Sequence, residues 1–84
     1  MPKFMDIHHN MKGVTPEALR AEHQKDLDEQ KSEQGVRFVK AWADSEAGTV
    51  FCLSEGPNKE AVQRVHERAG HPASAIYELS IEEG

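Results

Sequence analysis

The chain has 84 residues, a length that makes one domain with a single core and buries roughly 60% of the unfolded surface. Its 15 acidic and 10 basic residues give a formal charge of -5. With no basic stripe or run among them, this argues against a nucleic-acid backbone or an anionic membrane surface as partner. Hydrophobic residues at 37% and charged residues at 30%, in regular periodicity, mark a globular chain rather than a disordered one.

The first apolar run, Lys3 to His9, reads as a strand. Alternation sends Met5, Ile7 and His9 to one face and Phe4, Asp6 and His8 to the other, so two adjacent imidazoles address opposite sides of one sheet. Asn10 to Gly13 has turn chemistry. A helix is expected from Thr15 as N-cap and Pro16 at its first position, ending near Gln34-Gly35. It is highly charged, and its inward stripe is Leu19, His23 and Leu27.

Val36 to Asp44 is rich in β-branched and aromatic residues and reads as a second strand. Val36, Phe38 and Trp42 are expected on one side and Val39, Ala41 and Ala43 on the other. The polar turn Ser45 to Gly48 joins it in a hairpin to a third strand, Thr49 to Glu55. Gly56-Pro57 breaks the chain. Asn58 caps a second helix that carries Ala61, Val62, Val65, His66 and Ala69 on one face and stops at Gly70. Ala75 to Ile81 is a last strand before an acidic tail.

Strand, helix, strand, strand, helix, strand is the ferredoxin-like βαββαβ order of an α+β protein, with a four-stranded antiparallel sheet and both helices on one face. Residues 1-84 form one such domain, with the first and third strands central. The other sheet face is left bare, and pairing two identical sheets into a homodimer is the common solution. No segment approaches the ~20 apolar residues that span a bilayer, and the N-terminus lacks the apolar core of a secretory signal. With a lone cysteine that cannot staple the monomer, the expected compartment is the cytoplasm.

The chemistry rests on few residues. If Met5 and Ile7 face the helices, so does His9, and His23 and His66 descend from the helices into the same layer as a three-imidazole metal site. On the opposite face Asp6, His8 and Cys52 then share a side, because Phe51 and Leu53 take the helix side of the third strand. His71, before Pro72, completes the set of candidate ligands. Each also has a plain reading: a core histidine satisfied by a neighbour, a small buried cysteine, a histidine that terminates a helix. None of the spacings is a strong metal signature.

Lys3 to His9, Gly13 to Thr15, His23 to Leu27, Gly35 to Phe38, Ala41 to Asp44, Val50 to Glu55 and above all Val65-His-Glu-Arg-Ala-Gly-His-Pro72 resemble a family of small bacterial proteins. That family was long catalogued as a domain of unknown function and is often labelled nickel-binding. The resemblance implies a dimeric ferredoxin-like protein that binds nickel, without an established catalytic activity. Copper and zinc suit the same donors, so nickel rests on the resemblance and not on the spacing. The expected function is a cytoplasmic nickel-binding protein that sequesters, buffers or senses the ion. The rivals are a small-molecule oxygenase or isomerase using the same histidines as acid/base groups, and a non-catalytic interaction dimer.

Overall fold

A computed structural model describes all 84 residues. Strand β1 (Lys3–His8) is followed by helix α1 (Pro16–Glu29), a short 3-10 turn (Gln30–Ser32), strands β2 (Arg37–Asp44) and β3 (Thr49–Glu55), helix α2 (Lys59–Arg68) and strand β4 (Ala75–Glu78). The sheet runs β2-β3-β1-β4 and every pairing is antiparallel. This is the ferredoxin-like α+β arrangement, with the first and third strands central as expected. Neither helix is long and apolar enough to cross a membrane.

Local chemistry sets the boundaries. The Thr15 hydroxyl accepts from the Ala18 N–H at 3.1 Å, and the Asn58 side chain accepts from the Ala61 N–H at 2.8 Å, so each helix begins with a satisfied orphan donor. Helix α1 ends sooner than the Gln34-Gly35 stop implied, because its last turn has other partners. The Gln30 side-chain oxygen accepts from the Phe38 N–H at 2.8 Å. The Glu33 carboxylate accepts from Arg64 at 2.8 Å and Arg68 at 2.7 Å, which ties the segment after α1 to α2. Gly48 turns the β2-β3 hairpin at φ 75, and a Cβ there would meet the Lys12 backbone nitrogen at 2.7 Å, so only glycine fits.

The strand faces differ from expectation. In β1 it is Phe4, Asp6 and His8 that are buried under the helices, while Met5 and Ile7 lie on the outer face. His9 falls beyond the strand and is exposed. In β3, Val50, Cys52 and Ser54 point inward, and Phe51 and Leu53 are on the outer side. The reason is what each row meets. Phe4 packs with Val36, Phe38, Ala61, Val62 and Val65 in the apolar core, and Asp6 meets an imidazole from α2. An inward Met5 and Ile7 would leave both unmatched.

Strand β2 breaks its own alternation. Phe38 pairs with Ser54 but Lys40 pairs with Leu53, which leaves Val39 as an extra residue in a β-bulge. Phe38 therefore faces the core while Trp42, opposite Phe51, shares the outer face. Ala41, opposite Cys52, turns inward. Strand β4 stops at Glu78, short of Ile81, which is 90% exposed.

Candidate metal centre

The inward row of β1 passes from Phe4 to Asp6 to His8, and the sheet–helix interface changes character along it. Cys52 on β3 stands opposite Asp6. Helix α1 contributes Glu22, His23 and Asp26, helix α2 contributes His66, and the turn after α2 contributes His71. The rings of His8, His66 and His71 form a triangle with centroids 4.7, 5.4 and 5.4 Å apart.

His66 is held from both sides. Its Nδ1–H donates to Asp26 Oδ1 at 2.9 Å and its Nε2–H donates to Asp6 Oδ2 at 2.7 Å. Burial alone would lower its pKa, but the hydrogen bonds to Asp26 and Asp6 outweigh that and raise it to about 9. It is an imidazolium at neutral pH. Burial would likewise raise the two carboxyls, yet His66 together with His8 holds Asp6 below the usual carboxylate value, and His66 with His71 does the same for Asp26. Two fully buried carboxylates thus face one imidazolium, an imbalance that favours a further positive charge. Cys52 is pushed the other way, its thiol pKa raised by burial and by the nearby Asp6 and Asp26 charges.

Asp26 Oδ1 also accepts from His71 Nε2–H at 2.7 Å. Three ring nitrogens remain buried without an aligned hydrogen bond: His8 Nε2, His23 Nδ1 and His71 Nδ1. His8 Nε2 lies 2.8 Å from Asp6 Oδ1, and His71 Nδ1 lies 2.6 Å from Glu22 Oε2, but neither contact has the alignment of a hydrogen bond. All three histidines line one small, partly open cavity of about 20 Å³, with Met11, Leu19, Glu22, Asp26, Ala41, Val50 and Cys52. That is room for a single water or ion. His8, Met11, Glu22 and His71 also wall an open cleft of about 330 Å³ that His9 lines from outside.

The seven sequence candidates therefore sort differently from expectation. Asp6, His8 and Cys52 do share a side, but it is the helix side, and His66 joins them, with donor atoms all within 4.8 Å of one another. Asp26, His66 and His71 form a second such group. His9 is not beside His66; the reversed facing of β1 puts it out in the cleft. His23 reaches the cavity wall without meeting His9. Asp26 and Glu22 were missed. Their visible signals, His23-x-x-Asp26 one turn apart and an acid in the first half of α1, are as common on solvated helices as in sites.

The fold and this cluster define a small α+β protein whose sheet–helix interface is half apolar core and half histidine, carboxylate and thiol donors. Residues 4–79 match the family described as Nickel responsive protein SCO4226-like. The chain belongs to that family. It is also similar to the crystal structure of SCO4226 from Streptomyces coelicolor A3(2), at 53% identity and a TM-score of 0.93, over 96% of this chain and 99% of that one. No curated protein matches it.

Proposed function

We propose that the protein binds nickel in the cytoplasm, as a homodimer, and so sequesters, buffers or senses the ion. The observation that carries this reading is the convergence of three imidazole nitrogens without an aligned hydrogen bond, on His8, His23 and His71, at one ion-sized cavity. Neutral imidazole is a ligand for nickel, copper, zinc and iron. Nickel is chosen among them on the family's description. Glu22 and Asp26 supply carboxylate oxygens, and His66, with both nitrogens engaged, fixes Asp6 and Asp26 rather than binding the ion itself. The cavity of about 20 Å³ is the size of an ion, and this, together with the family's description, favours metal binding over the oxygenase or isomerase alternative.

Titration of tag-free protein with nickel, backed by elemental analysis, tests this. His8→Gln, His23→Gln and His71→Gln should each weaken binding by more than the 10- to 100-fold of an indirect change, whereas His9→Gln should stay within a few-fold of the parent, on the order of 1 kcal/mol. Acidification should also weaken binding and nickel uptake should release protons, because protons compete with the ion for imidazole. Full-affinity binding in all three cavity variants would sink the assignment.

The dimer reading rests on the outer sheet face. Met5, Ile7, Phe51 and Leu53 run across it, Trp42 is 40% exposed and Tyr77 57% exposed. Contiguous apolar area of this kind is covered in most soluble proteins. A monomeric mass by light scattering at micromolar concentration, with nickel present, would remove it.

A further inference from the structure

Nickel held by nitrogen and oxygen leaves two donor-bearing side chains of the cavity lining without a role, and both carry sulfur. Cys52 is 2% exposed, and its Sγ lies within 4.8 Å of donor atoms on Asp6, His8 and His66. Met11 lines the same cavity, from a connection whose backbone is pinned. Its N–H donates to the Gly48 carbonyl and its own carbonyl accepts from the Val14 N–H, each at 3.0 Å. Leu19, Ala41 and Val50 give the cavity apolar walls. His8, itself 6% exposed, adds a ring nitrogen, Nε2, that has no aligned partner.

We propose that this cavity is also a site for the cuprous ion, taken by the Cys52 thiolate, the Met11 thioether and an imidazole nitrogen of His8 or His23. Thiolate and thioether select monovalent copper, which accepts low coordination numbers and needs no retained water. The binding step is an exchange. The Cys52 S–H bond breaks, a Cu–S bond forms and the proton leaves, while copper enters and remains as Cu(I), so no electron moves. Replacing one proton by one monovalent cation leaves the buried charge unchanged, whereas a divalent ion must be balanced by the surrounding carboxylates. The site shares its lining and an imidazole with the nickel reading, and the two sulfur ligands are its own.

Anaerobic titration of the tag-free protein with Cu(I), in competition with the chromogenic chelator bicinchoninate, tests the proposal. One equivalent of Cu(I) should resist the chelator in the parent protein. Met11→Leu, close to volume-neutral, should weaken that binding about tenfold or more while nickel affinity holds, as should Cys52→Ser if it folds. Complete stripping of the parent by bicinchoninate, or parent-like retention in Met11→Leu, overturns the proposal. Nickel titration of the same samples separates the two readings. Cu(I) retained without nickel binding defeats only the nickel reading, and nickel retained without Cu(I) defeats only this one.

Discussion

The space between the sheet and the helices is two materials in one layer. Around Phe4, Phe38, Val62 and Val65 it is a close-packed apolar core, stabilised by area removed from water. One strand pair further along, around Asp6, His8, Asp26, His66 and His71, it is a network of ionisable groups that are nearly or fully buried and stable only because they satisfy one another. The same strand, β1, and the same helix, α2, serve both halves, with Phe4 and Val62 on one side of the boundary and Asp6 and His66 on the other. The apolar half holds the elements in register whatever the solution conditions. The polar half is where stability becomes conditional on pH.

The largest expected effect breaks the apolar half. Phe4→Ala removes a fully buried ring and should cost about 4 kcal/mol in denaturant unfolding, to a similar extent from pH 5 to pH 8, because the cost is a cavity and not a charge. A pH-dependent loss would show that the halves are not separable.

The polar half should show the opposite behaviour. The folded-state pKa of His66 is raised from 6.5 to about 9, so its stabilisation is fully present below about pH 6.5 and is lost as pH rises through 9. Asp6 and Asp26 are lowered, so their contribution is present above their ordinary value and disappears as pH falls below it. Metal-free protein should be most stable in mildly acidic solution and should lose on the order of 3 kcal/mol toward pH 9, at 1.36 kcal/mol per pKa unit. His66→Gln should flatten that alkaline slope while lowering stability at pH 6. An unchanged slope in melting or denaturant curves would mean that the buried imidazolium is not its source.

The smallest effect sharpens the boundary itself. Asn58→Ala removes the cap of α2 and should cost about 1 kcal/mol. Because Ala61 and Val62 follow directly, the loss should appear as earlier exchange of the first-turn amides and leave the alkaline slope intact.

The element order was legible because punctuation is local: Gly13, Gly35, Gly48, Gly56-Pro57 and Gly70 separate the periodic segments. The facing of β1 was not legible. Met5 and Ile7 look more apolar than Phe4, Asp6 and His8, and counting hydrophobicity puts them inside. Here both faces of the sheet are apolar in part, and the inward one is decided by His66, 60 residues away in sequence from Asp6. Pairing of that range leaves no periodic trace. Asp26 was obscured in the same way, since an Asp on a charged helix announces burial only through its partners on α2 and the following turn. The bulge at Val39 was equally silent, for no glycine marks it.

That bulge has a consequence at the level of the gene. Deleting codon 39 would excise a residue with no partner on β3 and leave Phe38, Ala41 and Ala43 facing as they do now. Deleting codon 41, two triplets downstream, would set Trp42 opposite Cys52 and drive an indole into the space beside His8. Neighbouring single-codon losses in one strand thus differ from near-silent to ruinous, and length variants that drift through this segment should accumulate at the first position and be absent from the second.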